Sequence, residues 1–276
     1  MKRLALLAVL LFFVLEVTGA SAQPPSQPPG APQQPASASD IEQARSLTPR
    51  QAAEVRADIL VARKEYAMAA SAYERILRGD PKNAPLLNKI GMAYQQLGNT
   101  HKAEHYYKRA WKFDKHFASA MNNLGTIEYA NRRYKGAIKD YHRALRVGKD
   151  RATIYSNLGF AYCGRKEYLH ATVAFSRALQ IDPSIFQRTG DFGSIFQQRS
   201  APDQATIYFM MARSYARLGD VPQTAHYLKM ARDAGYKSMH SAETDPGFKR
   251  VIRSPLVQAV VRTPAPFGIG NQTVRN

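Results

Sequence analysis

The sequence is short of the residues that covalent cross-links and common catalytic sites require. It contains one cysteine, Cys163, so no disulfide can form within the chain and packing must hold the fold. A lone thiol in an apolar setting usually behaves as a small hydrophobic side chain. The sequence also lacks a Gly-x-Ser-x-Gly elbow, a phosphate-binding loop and a dinucleotide-binding fingerprint. We therefore expect no enzyme activity and no cofactor.

Metal-ligand patterns are equally scarce. His101 and His105 are four residues apart, which is the spacing of two ligands on one helical face, but they do not form the His-Glu-x-x-His arrangement of zinc proteases. Lys102 and Lys108 lie nearby and repel a cation. The sequence therefore predicts no metal site, and we interpret the two histidines as surface residues.

Only one long apolar run is present, and it lies near the start of the sequence. Two basic residues precede the run Leu4–Leu15, and the small residues that a signal peptidase recognises end at Ala22. The run is shorter than the about 20 residues that a membrane-spanning helix needs. We expect a signal peptide over 1–22, cleaved near Ala22-Gln23, and hence an exported chain that is periplasmic or secreted; a retained signal anchor is the alternative.

Acidic residues are few relative to basic ones. There are 39 Lys and Arg against 21 Asp and Glu, which gives a formal net charge of +18. For an exported chain this balance favours an anionic membrane surface, an envelope polymer or an acidic protein over nucleic acid. The alternative is that the basic side chains only solvate a helical surface.

What the sequence does contain is an internal repeat with a period of 34 residues. Small residues and aromatic residues recur at this interval, and a period in this range is typical of stacked helix–turn–helix units. Glycine and alanine suit positions where two helices approach closely, and the aromatic side chains fill the space between helices. The columns are Gly91, Gly125 and Gly159; Ala103, Ala137 and Ala171; Ala110, Ala144 and Ala178; and Tyr107, Tyr141 and Phe175.

The pattern resembles the tetratricopeptide repeat (TPR) family, in the form found in exported bacterial-type proteins. The resemblance is carried by Leu124-Gly125 and Leu158-Gly159 with the alanine and aromatic columns that follow them, and by Pro183. It implies an all-α fold: a right-handed α-solenoid of stacked helix–turn–helix repeats with a C-terminal helical cap. It also implies a scaffold that binds a protein or peptide partner.

The repeat period and the composition together divide the chain. We expect a Pro/Gln-rich disordered tether over 23–39, since this composition buries too little apolar surface to order, and a disordered tail over 263–276. Thr48, Pro49 and Gln51 read as the cap, first turn and third position of a helix. The solenoid of 40–262 then comprises repeats at about 50–83, 84–117, 118–151 and 152–185, an insertion at 186–203, a degenerate pair at 204–237 and a cap at 245–262.

The insertion is expected to pack rather than to form a flexible spacer. Phe192, Ile195 and Phe196 have the spacing of one helical face, which predicts a short helix near 191–198. This helix would cover Leu169 and Val173, which replace charged residues at outward positions of the preceding repeats. In the alternative interpretation these two residues meet the degenerate pair directly and the insertion loops out.

By the family register, the first helices line a concave groove that holds a peptide or a partner's helix. Amides with scattered methionine and aromatic residues suit backbone contacts with a few apolar anchors; an unoccupied, solvated face is the alternative. The groove candidates are Asn88, Met92, Gln95, Asn122, Thr126, Tyr129, Ser156, Phe160, Arg213 and Arg217.

The second helices are expected to present a convex face with a basic stripe, formed by Arg75, Arg109, Lys112, Arg143, Arg146 and Arg177. The sequence thus predicts a non-catalytic protein–protein interaction scaffold of the cell envelope. The alternative is an envelope, pilus or secretion assembly factor that docks to an anionic surface through this stripe. The sequence predicts neither the partner nor the oligomeric state.

Overall fold

The computed structural model describes residues 47–148, 151–187 and 201–264, and these residues form helices joined by turns. The ranges contain no β-strand and hold at least the ten helices that the repeat predicts. The all-α fold class and its consecutive paired helices, which are typical of a TPR solenoid, are therefore confirmed. Within these ranges no helix is both long and apolar enough to cross a bilayer. The expected signal peptide, tether and tail lie outside the described residues.

The helices follow one another in antiparallel pairs. In chain order they are α1 (Pro49–Ala62), α2 (Tyr66–Leu77), α3 (Ala84–Gln96), α4 (Thr100–Phe113), α5 (Ala118–Ala130), α6 (Tyr134–Val147), α7 (Arg151–Gly164), α8 (Tyr168–Ile181), α9 (Ala201–Leu218), α10 (Val221–Asp233), α11 (Ser241–Thr244), a 3-10 turn (Pro246–Phe248) and α12 (Pro255–Arg262).

The first helix begins where the sequence predicts. Thr48 is the N-cap: its side-chain oxygen accepts a hydrogen bond from the Gln51 backbone N–H at 3.2 Å, and the Gln51 Oε1 accepts from the Thr48 N–H at 2.8 Å. This reciprocal capping box satisfies two backbone donors that would otherwise lack partners. Pro49 fits the first helical position because its missing N–H is not needed there.

Each of the three central pairs is held by a glycine that lies against an aromatic ring. A Cβ atom added to Gly91 would come within 2.5 Å of the Tyr107 ring, one on Gly125 within 2.6 Å of Tyr141, and one on Gly159 within 2.4 Å of Phe175. These distances are shorter than any van der Waals contact, so only glycine fits. The structural role given to the glycine and aromatic columns is confirmed.

The turns inside the pairs share a backbone feature that residue types do not reveal. The residue two positions before the second helix has a positive φ in all five pairs; in the fifth it is Gly219 (83°), and among the first four only one is glycine. A non-glycine residue in this left-handed region is strained by about 1–3 kcal/mol. The four residues are Lys64 (62°), Gly98 (73°), Arg132 (58°) and Lys166 (63°).

The chain divides into two compact units, Met1–Asp114 and Lys115–Asn276. The described part of the first unit holds α1 to α4. In the second unit, α5 to α8 are followed by the pair α9 and α10, and the buried Val257 and Val261 of α12 close the apolar surface at the end of the described chain.

The segment after α8 enters the core before the described residues break off. The Phe186 ring lies edge-on to Phe175 at 5.4 Å and to Tyr215 at 6.4 Å between centroids. The helix predicted near 191–198 lies outside the described residues. Leu169 and Val173 are 69% and 58% exposed, so neither the pair α9 and α10 nor another described segment covers them, and the predicted packing of the insertion stays a prediction.

Replacing Gly91 by alanine should destabilise the first unit, although alanine favours helices. The added methyl group overlaps the buried Tyr107 ring, and such overpacking costs about 1–3 kcal/mol. Gly79→Ala is the matched control, since its Cβ would meet only the Ile76 carbonyl oxygen at 3.6 Å. Urea unfolding followed by circular dichroism measures both variants. Equal midpoints would contradict the close contact between Gly91 and Tyr107.

Candidate functional site

In the first unit, the predicted groove residues differ sharply in exposure. Met92 is 49% exposed, whereas Asn88 is buried with its Nδ2 3.4 Å from the Met92 sulfur. The Gln95 side chain is partly buried, and its Oε1 accepts a hydrogen bond from the Tyr107 hydroxyl at 2.8 Å. Met92 is therefore the apolar surface that α3 offers to a partner, with polar side chains around it.

A polar network between α1 and α3 lies on the same helices. The Lys89 ammonium donates to the Glu54 carboxylate at 2.7 Å and to both Asp58 oxygens at 2.7 and 2.9 Å. The Tyr73 hydroxyl also donates to Asp58. Burial, and then the neighbouring Asp58, raise the pKa of Tyr73. The two carboxylates are thus engaged in holding helices together.

In the second unit, Asn122 and Thr126 are partly exposed on α5. The Asn122 Oδ1 accepts a hydrogen bond from the Asn157 amide of α7 at 2.9 Å, and the Thr126 hydroxyl donates to the Asn122 carbonyl at 3.1 Å. These side chains are fixed in position, and their outer faces remain accessible to a ligand.

Three other groove candidates are buried, which corrects their expected exposure. Tyr129, Ser156 and Phe160 lie inside the helix stack, and Phe160 packs edge-on to Phe175 with ring centroids 5.2 Å apart. Ser156 and Phe160 lie on α7, which packs against α5, α6, α8 and α9, so little of that helix reaches solvent. Tyr129 lies on α5 and packs against the Tyr134 ring, with centroids 5.6 Å apart. These residues stabilise the fold and do not offer contacts to a partner in this structure.

Arg213 is also less accessible than the groove prediction requires. Its side chain is 11% exposed, and its Nε and Nη2 lie 2.7 and 2.9 Å from the two Asp245 carboxylate oxygens. Nη1 donates to the Thr172 hydroxyl at 3.2 Å. The guanidinium therefore joins α8, α9 and the 3-10 turn, while Arg217, one helical turn further along α9, is exposed.

The basic residues of the second helices also fall into different settings. In the first unit Arg75 and Lys112 are exposed, whereas the Arg109 guanidinium lies 5.5 Å above the Tyr106 ring. In the second unit two of these side chains have partners: Arg143 contacts Asp140 at 3.2 Å, and Arg177 donates a hydrogen bond to Gln180 at 3.0 Å. Arg146 is exposed.

A cleft of about 670 Å³ opens between α2, α4 and the turn that joins α2 to α3. This basic cleft is lined by Ser71, Glu74, Arg75, Leu77, Arg78, Pro81, Tyr106 and Arg109.

One wall of the basic cleft is an ordered aromatic stack. The rings of Tyr94 and Tyr106 are parallel within 9° at 5.7 Å, and both hydroxyls donate to the same Glu74 oxygen at 2.8 Å. The Lys102 ammonium lies over the Tyr94 ring, 4.7 Å from its centroid. Burial, and then the Glu74 carboxylate, raise the pKa of both tyrosines, so the two hydroxyls remain donors at neutral pH.

Two kinds of group could support metal binding or catalysis: a cluster of metal-ligating side chains and a reactive thiol. No cluster of three or more His, Cys, Asp and Glu side chains that could hold a metal ion occurs in the described ranges. Cys163 is buried, and burial raises the pKa of its thiol. A protonated, inaccessible thiol is a poor nucleophile.

The sequence analysis missed the basic cleft although part of its signal was visible. Arg75 and Arg109 were singled out by their 34-residue spacing, but Tyr106 and Glu74 were not. Their spacing of 32 residues gives no periodic signal, and their contact exists only because α2 and α4 pack side by side.

Comparison with known families identifies repeats in two segments. Residues 84–116 match the family model for the tetratricopeptide repeat, and residues 125–164 match a second family model, the TPR repeat. The chain therefore contains TPR repeats, and proteins built from such repeats bind proteins or peptides. No curated protein matches the chain.

Several solved structures are similar to this chain at low sequence identity. Pseudomonas aeruginosa pilF has a TM-score of 0.50 and is 18% identical, over 70% of this chain and 79% of that protein. MamA has a TM-score of 0.46 and 22% identity, over 67% and 96% of the two chains. YrrB, described as a TPR protein with an unusual peptide-binding site, has a TM-score of 0.44 and 16% identity, over 75% and 95%. The likeness to pilF concerns the fold.

Asp245→Asn should lower stability because it leaves the Arg213 guanidinium nearly buried without its counter-charge. A loss of about 2 kcal/mol is expected for such a charge-assisted pair. Glu243→Gln is the control, since its pair with Arg262 is exposed at 3.7 Å and changes there stay within about 1 kcal/mol. Urea unfolding measures both. Equal unfolding free energies would contradict the role of the Arg213–Asp245 pair in holding the fold.

Proposed function

We propose that this chain is a non-catalytic interaction scaffold of the cell envelope, and that it binds a peptide or partner protein through the first helices of its repeats. The TPR repeats at 84–116 and 125–164 support the binding role, because proteins with such repeats bind proteins or peptides. The described residues that line the first helices offer side chains for contact rather than a reactive group.

The exposure of Met92 is the observation that carries the proposal. A methionine half open to solvent is an adaptable apolar anchor. Asn88 and Gln95 flank it on α3, and Lys89 with its two carboxylate partners lies beside them. Because these polar groups already have partners, they are held in fixed positions. A partner that covers Met92 therefore meets an apolar centre with an ordered polar rim, the usual anatomy of a binding site.

The envelope location rests on the sequence of residues 1–22, which has the basic start, apolar run and small residues of a signal peptide. Export would place the repeats where an extended partner of the envelope can reach them.

The alternative is an assembly factor that docks to an anionic surface through the basic stripe. The net charge of +18 and the exposed Arg75, Lys112 and Arg146 support it. The internal partners of Arg109, Arg143 and Arg177 weaken it, because these side chains are not free to spread over a flat surface. The vesicle measurement described below distinguishes the two.

Site-specific photo-crosslinking in the native cells tests the proposal. A benzoyl-phenylalanine at position 92 should yield a discrete adduct in the envelope fraction, because Met92 lies at the proposed contact. The matched control is position 68, since Met68 is also an exposed methionine but lies on the second helix α2. No adduct from position 92, or the same adduct from both positions, would contradict binding at α3. An adduct found only in the cytoplasm would contradict the envelope location.

A further inference from the structure

The basic cleft gathers more positive charge than its own carboxylate can balance. Arg75, Arg78 and Arg109 line it together with one acid, Glu74. Neither Arg75 nor Arg78 makes a hydrogen bond or an ion pair within the part of the chain that the structure describes. Asp80, beside the cleft, is already paired with Arg50 at 3.0 Å. Two guanidinium groups are thus available to an anion.

The remaining polar groups of the basic cleft are already oriented. Glu74 accepts from the Tyr94 and Tyr106 hydroxyls, and Arg109 is held between the Tyr106 ring and the Pro81 carbonyl, whose oxygen is 3.4 Å from Nη2. A ligand therefore does not need to order this wall on binding. Preorganisation of this kind raises affinity because less conformational entropy is lost.

The lining also offers apolar surface beside the charges. Pro81 is exposed and the Tyr106 ring is partly exposed among the three arginines, whereas Leu77 is buried. The volume of about 670 Å³ falls within the range of roughly 300–1,000 Å³ that is typical of ligand clefts. A small inorganic anion would leave most of this space empty. A carboxylate with a neighbouring apolar side chain matches both features.

Arginine pairs favour a carboxylate in a further way. The planar guanidinium donates two parallel hydrogen bonds that fit the two oxygens of Asp or Glu. Arg75 and Arg78 are three residues apart on α2 and its end, so their guanidinium groups approach the cleft from the same side. Two acidic side chains that are two residues apart in an extended segment point to the same side, so both can reach these arginines.

We propose that the basic cleft is a second binding site, which takes an acidic segment of a protein partner with Asp or Glu next to an apolar residue. The acidic side chains pair with Arg75 and Arg78, and the apolar side chain contacts Pro81 and Tyr106. The site lies on the second helices α2 and α4, so it is independent of the contact proposed at Met92. A scaffold with both sites holds two segments at once.

Fluorescence anisotropy with a labelled peptide tests this site. The probe is a fluorescein-labelled ten-residue peptide of alternating Glu and Leu, titrated with the purified full chain at low salt. The double substitution Arg75→Gln and Arg78→Gln should weaken binding by about tenfold or more, because it removes the two charged donors. Lys82→Gln with Lys112→Gln is the matched control: it removes the same charge at exposed positions outside the cleft and should change binding by less than about twofold.

A peptide in which every Glu is Gln should not bind, and thermal unfolding should show that both variants remain folded. Equal weakening by the two variants would overturn the proposal, as it would reveal general charge attraction. Absence of peptide binding would overturn it as well. Co-sedimentation with phosphatidylserine-containing vesicles in place of peptide binding would assign the arginines to a membrane surface instead. None of these results alters the crosslinking at position 92, so the two proposals fail separately.

Discussion

The structure depends on one steric constraint: in three successive helix pairs the first helix must lie directly on an aromatic ring of the second. Gly91, Gly125 and Gly159 permit this approach because they have no side chain, and a Cβ atom would overlap the ring in each case. The rings are fully buried, so each contact also removes a large apolar surface from water. The two helices of a pair are thereby fixed in rotation and in register. Which side chains reach the surface follows from that register.

Fixed register explains why charged residues form defined sites. The side chains of Tyr94, Tyr106 and Glu74 come from three different helices, yet they meet within hydrogen-bonding distance because the pairs of the first unit hold their spacing. Arg75 and Arg78 are placed beside them without partners of their own within the described chain. Satisfied polar groups build the wall of the basic cleft, and unsatisfied positive charge provides its attraction for a ligand.

The same logic separates packing from function on the first helices. Lys89 forms ion pairs with Glu54 and Asp58, whereas Met92, one turn further along α3, is half exposed. We propose this apolar residue, which lies among polar residues that the fold holds in place, as the point of contact for a partner. Arg213 shows the opposite case, since its partner Asp245 draws it into the interior of the second unit.

Much of the fold was predictable from the sequence because it repeats. The 34-residue spacing of small and aromatic residues predicted helix pairs, and the Thr48 capping box predicted where the first helix begins. The positive φ at Lys64, Arg132 and Lys166 was not predictable, since those residue types give no sign of it.

The candidate site was predictable only in part, because its key contacts are not periodic. The family register treats every first helix alike, but α7 is covered by its neighbours, which buries Ser156 and Phe160. Arg213 and Asp245 are 32 residues apart, as are Glu74 and Tyr106, and neither pair follows the repeat. Such contacts depend on how elements pack at particular positions, and a single sequence does not encode them in a readable spacing.

A double-mutant cycle on Gly159 and Phe175 tests the central constraint most directly. Gly159→Ala should destabilise the native chain, but it should cost less in a Phe175→Leu background, because the smaller side chain leaves room for the added methyl group. The account predicts a coupling free energy of about 1 kcal/mol or more between the two positions, measured by urea unfolding. Additive effects within about 0.5 kcal/mol would show that the glycine does not depend on the ring, and would contradict the account.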